Sequence, residues 1–272
     1  MSPRRKPRSS SPQAPAKTGH SFISLPVLLV LLICFGIAVS LIHNLPGNGA
    51  SPNPSASAGA SASPAVSATA SSTPTSSVST NAHQLTGTAL ALLGTLIIAP
   101  EHSQGYARDL FKIWIDADGN GCDTRNEVLI AEAITPPKIG AHCALSGGTW
   151  LSVYDGLHIN KASALDIDHL VPLDEAWRSG AYSWTSAHRE AYANDLDDSR
   201  TLIAVSAASN RSKGDKDPAN WLPQASYQCT YASDWVAVKV RWGFTVDSAE
   251  QARLTQLLTA CPADTISVEL PN

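Results

Sequence analysis

Hydrophobic and polar positions divide the chain into three unlike stretches. Ile23–Ile42 (ISLPVLLVLLICFGIAVSLI) is a run of twenty residues without a charge. As a helix rising about 1.5 Å per residue it spans roughly 30 Å, the thickness of a hydrocarbon core. Pro26 falls in its first turn, where proline is tolerated. Ahead of the run, residues 1–22 form a Pro/Ser-rich tail that carries Arg4, Arg5, Lys6, Arg8 and Lys17 and no acid. That charge bias places the tail in the cytoplasm and the rest of the chain outside. The run is longer than a signal-peptide core of roughly 7–15 residues, and its exit, Ile42-His43-Asn44-Leu45-Pro46, lacks a small-residue cleavage pattern. A transmembrane signal-anchor over 23–42 is expected, and cleavage would instead give a secreted protein. Arg4-Arg5 lies far from the run, which makes it a weak twin-arginine signal.

Residues 43–84 are rich in Ser, Ala, Pro, Thr and Gly and carry no charge. Such a segment cannot bury enough apolar surface to fold. It reads as a disordered, inert stalk with a reach on the order of 35 Å. From Leu85 the apolar positions become periodic, and residues 85–272 read as one domain with a single core. The pattern predicts helices over Ala89–Ile98, Tyr106–Trp114, Glu127–Ile134, Asp174–Trp177, Thr185–Asn194, Asp234–Trp242 and Ser248–Thr259. In the last, Ser248 reads as the cap and Leu254, Leu257 and Leu258 face inward. Short strands are predicted at Trp150–Tyr154, Leu165–His169 and Thr201–Ser206, and Ala207–Asn220 reads as a polar helix or loop. The class is α+β, with helices dominant.

Charge changes this picture in one respect. Setting aside the tail's five cations leaves 14 basic against 23 acidic residues, a net of −9 for the domain. A protein that coats nucleic acid non-specifically is normally basic, so any such contact here must use a local patch. Cys34 lies inside the apolar run; Cys122, Cys143, Cys229 and Cys261 lie in the domain. Four cysteines in an exported domain imply two disulfides, and local loops favour Cys122–Cys143 with Cys229–Cys261 among the three pairings. No pair has C-x-x-C spacing, which argues against a zinc site.

The candidate chemistry lies in two stretches about forty residues apart. In Asp166-Ile167-Asp168-His169-Leu170-Val171-Pro172, strand alternation puts Asp166 and Asp168 on one face and Ile167 and His169 on the other. The strand ends before Pro172, where a turn lets Asp168 and His169 reach one site. A carboxylate beside an imidazole can supply a metal ligand and a general base. In Ser206-Ala207-Ala208-Ser209-Asn210-Arg211-Ser212-Lys213-Gly214-Asp215-Lys216-Asp217-Pro218, Asn210 offers an uncharged oxygen suited to Mg²⁺. Arg211, Lys213 and Lys216 are the one dense basic cluster outside the tail and could grip phosphate. Either stretch alone is more often structural than functional.

Together, DIDHLVP and TLIAVSAASNRSKGDKDP resemble the signature of HNH (ββα-metal) endonucleases, and most closely exported proteins related to the C-terminal nuclease domain of GmrSD-type restriction enzymes. The likeness runs from about Tyr106 to Cys261. It implies a ββα-metal core with His169 as base and Asp168 and Asn210 as ligands of one divalent metal, Mg²⁺ or Mn²⁺. The family's middle position, nine residues before the last, holds Thr201 here; the residue at that place orients the histidine through its backbone or side chain. The implied activity is hydrolysis of phosphodiester bonds in DNA or RNA.

One further pattern stands apart. Asp116, Asp118, Asn120, Gly121 and Glu127 fit a twelve-residue calcium loop, with Cys122 and Asp123 at odds with it. Tight-turn geometry alone also explains such residues. Two competing functions follow: a non-catalytic module binding nucleic acid or cell-wall polymer on an HNH scaffold, and a calcium-stabilised surface interaction domain.

Overall fold

The computed structural model describes residues 77–271. The basic tail, the apolar run 23–42 and the linker up to residue 76 lie outside the described residues, and the membrane-anchor expectation lies with them. Among the described residues no helix is long and apolar enough to cross a membrane.

Strand pairing begins within the stretch read as stalk. β1 (Ser79–Asn81) turns into β2 (Gln84–Thr88), which leads directly into α1 (Ala89–Leu93). Thr88 caps that helix, its hydroxyl accepting from Ala91 N. α2 (Thr124–Ala131) is capped by Asp123. Three small ribbons follow: β3 (Lys138–Ile139) with β4 (Leu145–Ser146), β5 (Trp150–Ser152) with β6 (Leu157–Ile159), and β7 (Leu165–His169), whose partner comes later. α3 (Leu173–Arg178) and α4 (Ser186–Ala193) separate β7 from β8 (Leu202–Ser206), which runs straight into α5 (Ala207–Lys213). α6 (Gln228–Trp242) and α7 (Ser248–Ala260) complete the helices, and β9 (Thr265–Glu269) returns to pair antiparallel with β2.

The predicted strand Leu165–His169 is observed with those bounds, and its partner is one residue shorter than predicted. Two predicted helices are not. Tyr106–Trp114 holds only a 3-10 turn at Arg108–Leu110, and the helix begun at Ala89 stops at Leu93. In the first case Trp114 takes φ 59°, a left-handed conformation closed to helices and costly for a bulky side chain. In the second, the chain leaves Gly94 for a bridge between Ile98 and Val246. The cap of α7 is Asp247 rather than Ser248, with its carboxylate accepting from Ala249 N and Glu250 N.

Two cores flank the β7–β8 ribbon. Leu165, Ile167, Leu202 and Ala204 pack with Val128, Leu129 and Trp150 on one face. On the other, Val205 joins the main core, which α6 crosses with Tyr231, Trp235, Val236 and Val240. A buried ion cluster fixes the helix that leaves the site: the Lys239 ammonium on α6 donates to Glu175 Oε1 on α3 (2.8 Å) and Glu250 Oε2 on α7 (2.7 Å). Cys122 pairs with Cys143 and Cys229 with Cys261, the pairing that local loops favour.

Candidate active site

β7 and β8 pair antiparallel, Asp168 opposite Ile203 and His169 opposite Leu202, and Ser206 caps the helix that follows. A ββα unit therefore carries both motifs. Asp168, His169, Asn210 and Arg211 line one cleft of about 200 Å³, joined by Arg108 and Asp215. Four of the residues singled out in the sequence thus meet in space.

His169 is only 4% exposed. Its Nε2 lies 3.0 Å from the carbonyl of Ala193, the last residue of α4. A carbonyl only accepts, so Nε2 carries the proton and Nδ1 holds the lone pair. Burial pushes the imidazole down to about 4, with the Ala193 contact opposing that shift, so the ring is neutral near pH 7. Trp114 stacks on it at 5.8 Å and Tyr192 lies tilted at 6.0 Å.

Asp168 is equally enclosed. Its Oδ2 accepts from the Tyr154 hydroxyl (2.6 Å) and from the Lys213 ammonium (2.6 Å). Oδ1 has no hydrogen-bond partner among the described residues. Burial pushes this carboxyl up and the Lys213 ammonium down, and their mutual contact holds part of each shift back. Asn210 donates through Nδ2 to Asp166 Oδ2 (3.2 Å), which leaves its own Oδ1 uncommitted. Two hard oxygens without partners, on residues that line one cleft, suit a divalent cation that takes oxygen ligands.

The remaining predicted residues are dispersed. Arg211 is exposed, 3.8 Å from Asp166. Lys213 is not on the surface: it is fully buried, and it also donates to the carbonyl of His169 (2.9 Å). Lys216 caps the end of α5 through Ser212 O and faces a second cleft with Glu101, Asp217 and Asp247. Thr201 makes no hydrogen bond to the His169 ring. Its hydroxyl donates to Asp195 Oδ2 (2.8 Å), and its carbonyl accepts from Leu170 N (3.0 Å), one residue beyond His169.

Sequence reading missed Arg108, Tyr154, Trp114 and the Ala193 carbonyl. No local signal marks them, since each reaches the site from a distant segment; the carbonyl contact is made by backbone alone. In the calcium-like loop, Asn120 Nδ2 donates to Asp118 Oδ2 (2.9 Å) and Glu127 Oε1 (2.8 Å), while Asp116 Oδ2 accepts from Gly121 N. The Asn120 amide nitrogen thus lies between two carboxylates, and its Oδ1 accepts from Cys122 N (2.7 Å).

Comparison with known families points to a nuclease-type domain. A family model described as the C-terminal domain of GmrSD restriction endonucleases matches residues 144–257. A protein of Arthroderma benhamiae described as an uncharacterized secreted protein is 44% identical over 176 residues, which cover 64% of this chain and 85% of the relative. Residues 144–257 are thus a domain of the GmrSD restriction endonuclease C-terminal family. No solved structure matches it.

Proposed function

We propose that the chain is a metal-dependent HNH endonuclease that hydrolyses phosphodiester bonds of nucleic acid, DNA first, outside the cytoplasmic membrane. The observation that carries this reading is the shared cleft: a neutral imidazole with a free Nδ1 beside two uncommitted hard oxygens, Asp168 Oδ1 and Asn210 Oδ1. His169 Nδ1 takes the proton of the attacking water. The Ala193 carbonyl keeps the ring in the tautomer that allows this. Arg108 and Arg211 hold the phosphate at the cleft wall, where the fork of a guanidinium matches two phosphate oxygens. Asp168 and Asn210 would hold one Mg²⁺ or Mn²⁺, which supplies Lewis acidity to the leaving 3′ oxygen when bound. Products then carry 5′-phosphate and 3′-hydroxyl ends.

Export has two supports: a relative described as secreted, and two disulfides, which persist in oxidising compartments. The 23–42 run serves as the anchor in this reading. End-labelling of the products tests the chemistry. A 3′-phosphate product would contradict attack that expels the 3′ oxygen, and Asp168→Ala should lose Mg²⁺-dependent turnover.

The 116–127 loop carries the calcium expectation, which rests on the spacing of Asp116, Asp118, Asn120 and Glu127. Thermal unfolding in calcium and in EDTA tests it. A calcium-induced rise that Glu127→Gln removes carries the site; coincident curves dismiss it.

A further inference from the structure

The base is held by a backbone atom, so whatever holds that backbone sets the base. Ala193 ends α4, and the final carbonyls of a helix lack partners within it. This leaves Ala193 O open to His169 Nε2, and nothing in Ala193's own side chain can fix its direction. The next two residues can.

Asn194 uses its full amide capacity. Oδ1 accepts from Ile115 N (3.2 Å) and the Thr124 hydroxyl (2.8 Å), and Nδ2 donates to Lys112 O (2.7 Å) and Glu190 O (2.8 Å). Asp195 is buried and accepts five bonds. Arg241 grips both oxygens (2.8 and 2.9 Å), the Thr201 hydroxyl and Trp242 Nε1 reach Oδ2, and Asp197 N reaches Oδ1. Neither side chain lines the cleft. Among their bonds are those to Lys112 O and Ile115 N, on the segment that presents Trp114 to the ring, and to Thr201, whose carbonyl anchors the residue after His169.

We propose that Asn194 and Asp195 are positioning residues that aim the Ala193 carbonyl and so fix the tautomer and orientation of His169. The catalytic consequence rests on the nuclease reading; the effect on the ring does not. Thr201, at the family's middle position, contributes through its hydrogen bond to Asp195 rather than through one to the histidine ring. The saturation of both side chains makes the bracket stiff: a buried acceptor or donor left unmatched is costly, so the segment has few alternative placements.

The test uses the full chain labelled with ¹⁵N-histidine, with the His169 signals assigned by their loss in His169→Gln. Imidazole nitrogen shifts report the tautomer directly. The native chain should show Nε2 protonated and Nδ1 free. Asn194→Asp keeps shape and acceptor but turns two donated bonds into repulsions. It should mix the two tautomers and lower kcat about tenfold, with KM within about twofold, as expected when geometry and not substrate binding is lost. A folded Asn194→Asp chain with native nitrogen shifts would overturn the proposal. Should that variant not fold, Thr201→Val removes one of the five bonds to Asp195 and is read the same way: perturbed shifts that Thr201→Ser restores support the bracket, and native shifts in Thr201→Val overturn it. If the native chain cleaves nothing, the nuclease reading fails while the nitrogen shifts still decide the bracket.

Discussion

Lys213 shows most sharply how a residue's surroundings decide its work. In the sequence it is one of three cations in a polar run, and a phosphate contact is the natural expectation. In the fold, α5 directs it inward, where its ammonium meets Asp168 Oδ2 and the carbonyl of His169. Removing one member of a buried pair strands the other charge, which costs about 3–5 kcal/mol. Lys213→Met should therefore lower unfolding free energy by about that amount in denaturant titrations. The double variant with Asp168→Asn should lose less than the sum, because the stranded charge is gone. A surface lysine would cost almost nothing, so a native-like Lys213→Met would contradict the buried placement. Asp168, His169 and Asn210 were legible because their types and order are tied to one short unit. Tyr154 and Arg108 were not, because nothing near them in sequence says that they meet that unit.

Among the elements, those legible in sequence are those whose reasons are local. β7 alternates and ends before a proline; α5 begins at a serine that caps it. β9 was missed although Ile266 and Val268 alternate, since its partner β2 lies at the opposite end of the domain. The false helix at Tyr106–Trp114 has the opposite origin. Its apolar spacing is real, but Phe111 is buried in the main core while Trp114 packs against the second, and one helix face cannot serve both. Two outcomes follow at this scale. Burial lifts the Glu132 carboxyl, at the end of α2, to about 7, although Ala204 N donates to it. The folded state holds that proton more tightly than the unfolded chain, where the value is 4.5. This group's contribution therefore falls as pH rises from 4.5 to about 7, then levels off. Glu132→Gln keeps the acceptor and should raise Tm at pH 8 while leaving it nearly unchanged at pH 4. The Cys229–Cys261 bridge joins the start of α6 to the end of α7 across 32 residues. Replacing both cysteines with serine should cost about 3–4 kcal/mol, read by denaturant unfolding of the oxidised native chain beside the variant.

At the level of the whole molecule, the acidic domain and the nuclease reading fit together only if contact with nucleic acid is narrow. Arg108 and Arg211 are the exposed cations at the cleft, and Lys216 faces elsewhere. Each phosphate neutralised contributes a slope of about −0.9 in log affinity against log salt. Binding of a catalytically inactive chain to duplex DNA should thus show a slope near −2. A slope of −6 or steeper would require a broad basic face, which the domain's net charge argues against. Weak, local binding of this kind suits an enzyme that releases its products, and it makes cleavage a better probe than affinity.

Plasmid nicking by the purified chain in Mg²⁺, Mn²⁺ and EDTA, beside His169→Ala, tests the central claim most directly. Metal-dependent nicking that falls about 100- to 10,000-fold in the variant is the predicted result, the range expected on loss of a general base. Nicking that survives unchanged in His169→Ala would contradict the assignment of the base, and no nicking by the folded native chain in either metal would contradict the enzyme.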